Sequence, residues 1–264
     1  MRTMVKLIPV LHVGTVRDLP PHSSGPTGSP EGIADTVRRN GYEGIQFEES
    51  SELDGFGLRR FTLGRANTPE EILGAARKWR DTGFEAGTLH VGWGYETDAE
   101  IDRLCAAIIS ANSDLGFPLY LETHRATITE DPWRTVEMVR RNPDIRFNGD
   151  FSHWYTGSEM IYGDFDEKLD RLAPVFERVR FVHARVGNSC CMQVPLEDPS
   201  VAVPLTHFTE MWRRSFIGAL DSGETKEIPF VPELLPPSIN YARLRRTESG
   251  AWQEEGDRWN DALQ

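Results

Sequence analysis

Four strand-like segments of the sequence each carry an ionisable residue at or near the carboxyl end, on the face opposite the helix-packing aliphatic side chains. These residues are Glu122, Asp150, His183 and Glu233. Three unpaired carboxylates that meet in a partly buried space repel one another and raise each other's pKa, and a divalent cation relieves that conflict. The set therefore predicts a metal site of three carboxylate oxygens and one imidazole nitrogen, which favours Mn²⁺, with Mg²⁺, Co²⁺ and Zn²⁺ as alternatives.

Each of the four residues also has an ordinary structural interpretation. A single carboxylate at a strand end commonly caps a helix or forms a salt bridge, and His183 alone could be a core histidine with satisfied hydrogen bonds. Because the four residues stand at equivalent depth on four consecutive strand-like segments, the joint pattern favours the metal site.

The elements that must position these residues alternate along the chain. Strands are predicted at residues 6–13, 44–49, 60–63, 86–91, 119–124, 145–151, 180–186 and 228–233. Helices are predicted at residues 31–40, 68–81, 98–113, 131–141, 166–178 and 207–221. Thr68, Pro69 and Glu71 start the clearest helix as N-cap, first-turn proline and capping-box acid. The connection at residues 51–57 is too short and glycine-rich for a full helix, so one crossover is abbreviated.

Eight strands that alternate with helices are typical of the α/β class and predict a single (β/α)₈ TIM barrel. Such a barrel places its active site at the carboxyl ends of the strands, where the four candidate ligands stand. We expect one domain over residues 1–264, with the barrel at about residues 4–240 and a C-terminal helical extension at residues 241–264. The charge-rich residues 243–246 are interpreted as a solvated helix face.

The charge balance of the 264-residue chain disfavours some classes of partner. Basic residues number 29 and acidic residues 41, and the net charge of −12 repels nucleic-acid backbones and anionic membranes. Three cysteines without framework spacing, and an N-terminus without a signal-peptide pattern, indicate a reduced cytoplasmic protein. No apolar run approaches the roughly 20 residues that span a bilayer.

The motifs around the candidate ligands resemble those of the xylose isomerase-like TIM barrels, a sugar isomerase/epimerase superfamily that also contains endonuclease IV. They are LETHR at residues 121–125, GDFSHW at 149–154, VHARVG at 182–187 and PE at 232–233. In the ketose 3-epimerase branch, four successive strand ends supply Glu, Asp, His and Glu as metal ligands. The resemblance thus implies the same role for the four residues named above.

The resemblance also implies two substrate-binding residues and shows one departure. His153 and Arg185 match a histidine and an arginine that bind substrate oxygens in the epimerase branch. The epimerases carry a further glutamate six positions past the first ligand, where this chain has Ile128.

Other polar and aromatic residues near the strand ends are candidates for the pocket. His124 is interpreted as a substrate contact, and His90 and Glu48 as pocket-lining residues. Trp154 stands just past a strand end and could stack on a sugar ring. The loop that contains Cys190, Cys191 and Gln193 is interpreted as an element of substrate specificity.

The predicted chemistry follows from the convergence of a metal with two glutamates. A sugar with adjacent carbonyl and hydroxyl groups can chelate a metal, which as a Lewis acid stabilises an enediolate while a carboxylate takes the proton from carbon. Two carboxylates on opposite sides of that carbon suit epimerisation, so Glu122 and Glu233 are the candidate acid and base. We therefore expect a divalent-metal-dependent isomerase or epimerase of a keto-sugar or related polyhydroxylated carbonyl compound.

Four other functions have to be weighed. A metal-dependent lyase or hydrolase of keto-glycosides is the main alternative, because enolate formation also drives β-elimination. An endonuclease IV-like repair enzyme would need a basic groove and more histidine ligands, and a Schiff-base aldolase would need a lysine at a strand's carboxyl end. A non-catalytic binding barrel would not need the complete ligand set.

The expected partner is a small-molecule carbohydrate, and neither nucleic acid nor a membrane. Because no glycine-rich phosphate cradle stands out and the predicted mouth lacks lysines, the substrate is expected to be neutral. The sequence is compatible with a homo-oligomer and does not decide the oligomeric state.

Overall fold

Eight parallel strands close into a barrel at the centre of the structure, a computed structural model that describes residues 4–264. They pair in chain order, and the last strand pairs back with the first. The strands are β1 (Lys6–His12), β2 (Gly44–Phe47), β3 (Arg59–Ala66), β4 (Ala86–Val91), β5 (Leu119–Glu122), β6 (Phe147–Gly149), β7 (Val179–His183) and β8 (Glu227–Val231). The predicted α/β fold, a (β/α)₈ TIM barrel, is confirmed.

Helices follow most of the strands. They are α1 (Pro30–Arg39), α2 (Pro69–Asp81), α3 (Asp98–Ser113), α4 (Pro132–Arg141), α5 (Ser152–Gly157), α6 (Phe165–Phe176) and α7 (Ala202–Ser222). The sequence predicts all of these except the short α5, and α7 begins before the predicted start at residue 207. The described residues 48–58, between β2 and β3, contain no helix, as the abbreviated crossover predicted. Among residues 4–264, no helix is both long and apolar enough to cross a membrane.

Side-chain caps start two of these helices in the way that the local sequence indicates. At α2, the Thr68 hydroxyl accepts a hydrogen bond from the Glu71 N–H at 3.2 Å, and the Glu71 carboxylate accepts one from the Thr68 N–H at 3.2 Å. Thr97 and Glu100 form the same capping box at α3. Each box satisfies backbone donors that the first helical turn leaves unpaired, so the helix starts are fixed locally.

Two layers of side chains fill the barrel interior. The layer nearer the amino ends of the strands is apolar and consists of Ile8, Val10, Phe61, Ala86, Phe181 and Val231, with Tyr120 packed against it. Because strand side chains alternate between faces, the next inward residue after Phe181 is His183, and the next after Val231 is Glu233. The apolar layer therefore fills the barrel near the amino ends of the strands, and polar residues line its interior at the carboxyl ends.

The chain after β8 differs from the helical extension that was expected for residues 241–264. It forms an antiparallel hairpin of β9 (Leu244–Arg246) and β10 (Trp252–Glu254), followed by the helix α8 (Arg258–Ala262). Gly250 takes a left-handed conformation with φ 83° in the turn, where the Thr247 N–H donates to the Ala251 carbonyl at 2.9 Å. Such a turn favours a hairpin. The prediction of a solvated helix face at residues 243–246 was therefore wrong. Within residues 241–264, the predicted helix is confirmed only for α8.

Ion pairs join the amino ends of β6, β7 and β8. Arg146 Nη2 lies 2.6 Å from Glu224 Oε1, and Arg180 Nη2 lies 2.9 Å from Glu224 Oε2. The Arg180 side chain is 4% exposed and that of Glu224 is 46% exposed. The hydrogen bond from Arg146, together with the one from Arg180, lowers the pKa of Glu224 from 4.5 to about 2.

We expect Glu224→Gln to lower the free energy of unfolding near neutral pH by about 1 kcal/mol or less, because half-exposed ion pairs are weak. Since folding lowers the pKa of Glu224, its contribution is complete above 4.5 and is lost as the pH falls towards about 2. Urea unfolding at several pH values should show the difference from the wild type shrinking below about pH 5. A constant difference down to about pH 3 would contradict this assignment. Asp221→Asn, at an exposed carboxylate in the last turn of α7, is the control.

Candidate metal centre

The structure brings the four predicted ligands together at the carboxyl end of the barrel. His183 Nδ1 lies 3.5 Å from Glu122 Oε2, 3.6 Å from Glu233 Oε2 and 4.0 Å from Asp150 Oδ2. All four side chains are buried. Potential ligand atoms of Glu122, Asp150 and His183 all lie within 4.8 Å of one another, so a single cation could contact them together.

The hydrogen bonding of His183 fits a metal ligand. Its Nε2 lies 2.9 Å from the side-chain oxygen of Gln46 on β2, an acceptor that places the ring proton on Nε2. Its Nδ1 is buried, has no hydrogen-bond partner and faces the three carboxylates. A metal-binding imidazole usually donates its other N–H to such an acceptor, so the donor set fits a divalent cation.

Neighbouring polar groups hold the carboxylates in place. The Asn148 side-chain amide, on β6, donates to Glu122 Oε2 at 3.0 Å. Ser152 donates to Asp150 Oδ1 through its hydroxyl at 2.5 Å and through its backbone N–H at 3.1 Å. The sequence analysis did not identify Asn148, Ser152 or Gln46 as site residues. Strand alternation could have found Asn148 and Gln46, which lie two residues before Asp150 and Glu48. Ser152 lies two residues after Asp150, outside the strand.

The electrostatics of the centre attract cations. Burial opposes a charged His183 ring, but the carboxylates of Glu233 and Glu122 outweigh it and raise its pKa to about 9. Burial raises the pKa of Asp150 to about 6. Burial also opposes ionisation of Glu122, but the imidazoles of His90 and His183 hold its pKa well below the usual range. For Glu233, burial is outweighed by His183 and Arg185, which lower its pKa.

The predicted substrate-binding residues Arg185 and His153 lie beside the centre. The buried Arg185 guanidinium pairs with Asp150 Oδ2, and its Nη1 lies 3.0 Å from Glu233 Oε2. Its Nε donates to the Ser152 hydroxyl at 3.1 Å, and Nη2 lies 3.0 Å from His153 Nε2. Arg185 thus contacts two predicted ligands and His153 at the same time.

Three imidazole rings form a wall beside the centre. The ring centres of His90 and His124 are 3.9 Å apart, and those of His124 and His153 are 3.7 Å apart. Burial lowers the pKa of His124 to about 4 and, with the charge of Arg185, holds that of His153 well below its usual range. His90 differs: burial opposes its charge, but Glu122, whose Oε1 lies 2.9 Å from His90 Nε2, raises its pKa. A second group that could hold a metal consists of His90, Glu122 and His124.

Two predicted pocket residues do not reach the centre. Glu48 lies just beyond β2 with an exposed side chain, and Gln46 takes the inward position on that strand. Trp154 is 1% exposed, packs in the hydrophobic core and donates from its indole nitrogen to the Thr129 carbonyl at 2.7 Å. The expectation that Glu48 lines the pocket and that Trp154 stacks on a sugar is therefore wrong. Ile128, which replaces a glutamate of the epimerase pattern, is likewise buried in the core.

The loop after β7 has a structural contact that its sequence did not indicate. The Gln193 side chain donates to the Leu235 carbonyl at 3.0 Å and accepts from the Leu235 N–H at 2.8 Å. This pair of bonds fixes the chain that follows β8. Cys190 is exposed and Cys191 is partly buried, and neither is in a disulfide.

Solved structures with a similar fold cover most of the chain. Endonuclease IV from Thermus thermophilus is 15% identical over 87% of this chain and 93% of its own, with a TM-score of 0.50. The probable 3-DHS dehydratase AsbF from Bacillus anthracis is 14% identical over 85% and 92%, with a TM-score of 0.54. A sugar phosphate isomerase/epimerase from Parabacteroides distasonis is 12% identical over 99% and 94%, with a TM-score of 0.54. These likenesses show a shared TIM-barrel fold.

These likenesses confirm the resemblance to the xylose isomerase-like barrels for the fold. Neither a scan against protein-family models nor a search of curated proteins finds a match to the sequence. The roles of the individual site residues stay predictions, supported by the geometry of the centre.

We expect the wild-type protein to hold about one divalent ion per chain after loading with Mn²⁺ and dialysis, because Glu122, Asp150 and His183 offer ligand atoms within 4.8 Å of one another and Glu233 lies beside His183. Asp150→Ala should abolish this binding, since it removes one donor and one of the two carboxylates that balance the charge of Arg185. Elemental analysis measures the occupancy, and circular dichroism checks folding. Asp144→Ala, at an exposed position just before β6, should keep the wild-type occupancy. Full metal occupancy in a folded Asp150→Ala protein would overturn the assignment.

Proposed function

We propose that the protein is an enzyme, a divalent-metal-dependent isomerase or epimerase of a keto-sugar or a related polyhydroxylated carbonyl compound. The observation that carries the proposal is the buried, unpartnered Nδ1 of His183 among three carboxylates at the carboxyl end of a TIM barrel. One solved structure of similar fold is described as a sugar phosphate isomerase/epimerase, which agrees with this class.

A divalent ion held by Glu122, Asp150, His183 and Glu233 would supply Lewis-acid polarisation of a substrate carbonyl. The other contributions come from side chains. The chain's part is to orient the substrate, to exclude water from the buried carboxylates and to move a proton at carbon.

Glu122 and Glu233 are the proposed acid and base. They come from β5 and from the end of β8, which lie on different sides of the closed barrel. Both have a lowered pKa, so both are ionised at neutral pH and can accept a proton from a substrate carbon. His90 Nε2 is hydrogen-bonded to Glu122 Oε1 and its side chain is 24% exposed, so it can pass a proton between Glu122 and solvent.

The imidazole wall and Arg185 are the proposed substrate contacts. His124 and His153 are neutral at physiological pH, and a neutral imidazole can both donate to and accept from a sugar hydroxyl. Arg185 Nη1 lies 3.0 Å from Glu233 Oε2 but makes no well-directed hydrogen bond, so it can donate to a neutral substrate hydroxyl while the two carboxylates balance its charge.

A metal-dependent lyase is the second candidate function, and His90 is the observation that favours it. Elimination needs an acid that protonates the leaving group, and Glu122 raises the pKa of the partly exposed His90. Reaction in D₂O separates the two functions, because an isomerase leaves deuterium on an intact skeleton and a lyase releases a fragment.

We expect Glu122→Gln and Glu233→Gln to lower turnover by about 10²–10⁴-fold, because each keeps an oxygen donor but loses the base. Metal affinity should fall only modestly. Proton exchange between substrate carbon and D₂O, followed by NMR over a panel of keto-sugars, should be lost in the variant that lacks the initiating base. Glu137→Gln, at an exposed position on α4, is the matched control.

The outcome that contradicts this assignment is a glutamine variant that binds metal and exchanges the carbon-bound proton at the wild-type rate. The corresponding glutamate would then be a ligand alone. The base would have to be His90 or His153.

We expect a neutral sugar to be preferred over its phosphate ester. Arg185 is already paired with Asp150 and Glu233, and Arg65 donates to the Gly92 carbonyl at 2.7 Å. Comparison of kcat/KM for a sugar and its ester measures the preference. A large advantage for the ester that disappears in Arg125→Ala would overturn it and identify the exposed Arg125 as the phosphate contact.

A further inference from the structure

Tyr241 belongs to the chain that follows β8 and lies against the buried Arg185. The guanidinium carbon of Arg185 is 4.7 Å from the centre of the Tyr241 ring, and that of Arg125, in the loop after β5, is 5.8 Å from it. Arg185 itself contacts Asp150 and Glu233, so the tyrosine ring stands one layer from two predicted metal ligands. The Tyr241 side chain is partly buried, and this burial raises the pKa of its hydroxyl.

Tyr241 is carried by a segment, residues 234–264, that we call the C-terminal strap. On one side, Arg258 of the strap donates to the carbonyl oxygens of Thr15 at 3.1 Å and Arg17 at 2.8 Å, after β1. On the other side, Arg243 pairs with Asp198, between β7 and α7. The strap is therefore anchored to loops on both flanks of β8, and from there Tyr241 reaches towards the loop after β5.

We propose that Tyr241 covers the predicted metal centre and limits the size of the ligand that the pocket admits. Its ring, held near two guanidinium groups by cation–π contacts, occupies space above Arg185 that a longer ligand would need. The size limit rests on the proposed function, whereas the cover can be measured without any substrate.

Modification of histidines by diethyl pyrocarbonate, mapped by mass spectrometry, measures the cover. In Tyr241→Ala we expect His124 and His153 to react about tenfold faster than in the wild type, because the ring no longer restricts access. Tyr241→Phe keeps the ring and should react at the wild-type rate. His207, stacked on Phe165 with ring centres 3.7 Å apart, is the internal control within each sample.

Two further variants make the experiment robust. Tyr162→Ala removes a tyrosine that is 61% exposed and should leave every rate unchanged. Tyr241→Leu replaces the ring with a smaller apolar group and gives the same comparison if the alanine variant does not fold. If His124 and His153 react as fast in the wild type as in the folded alanine or leucine variant, the proposal that Tyr241 covers the centre is overturned.

The size limit is measured with the Mn²⁺-loaded protein and keto-sugars of increasing chain length in the D₂O exchange assay. Tyr241→Ala should shift the ratio of kcat/KM towards the longer sugars by about tenfold, and Tyr241→Phe should not. An unchanged ratio alongside faster histidine modification would overturn the size limit. Absence of exchange with every sugar, alongside faster modification, would overturn the proposed function and leave the cover standing.

Discussion

Negative charge buried at the carboxyl end of the barrel is the constraint on which the rest of the structure depends. Glu122, Asp150 and Glu233 surround one nitrogen of His183 and have almost no contact with solvent. Moving each ionised carboxylate out of water costs several kcal/mol unless cations and hydrogen-bond donors replace the solvent. The donors come from several strands and from Arg185, so the centre exists only when those strands are in register.

The layered interior of the barrel explains why this charge is tolerated at one end only. Towards the amino ends, side chains such as Phe181 and Val231 pack as an apolar plug. One pleat further along the same strands, His183 and Glu233 point into the same interior. Because strand side chains alternate, the apolar residues form a packed layer directly below the centre. The packing of this layer fixes the positions of the groups proposed to do chemistry.

Strand alternation was enough to predict the convergence of four residues that are distant in sequence, because a closed parallel barrel brings all carboxyl ends to one mouth. The rule is unreliable past the strand ends, where Asp150 and Glu233 still face the centre but Glu48 does not. β2 ends at Phe47, so Glu48 turns to solvent and Gln46 is the inward residue. The helix α5 begins at Ser152, and its spacing turns Trp154 into the core. The strap contacts join residues far apart in sequence, which local patterns do not encode.

Charge balance at the centre favours one divalent ion over two. Glu122, Asp150 and Glu233 contribute three negative charges, and the buried Arg185 returns one positive charge. Despite burial, the carboxylates raise the pKa of His183, but as a metal ligand its ring is neutral and adds no charge, so the remainder then equals the charge of one divalent ion. A second ion at His90, Glu122 and His124 would add two positive charges without a further carboxylate, and it would break the bond between His90 and Glu122. Burying an excess of positive charge costs free energy, as burying an excess of negative charge does. Arg185 already supplies a positive charge at the centre, so a second metal ion is not needed to balance the carboxylates.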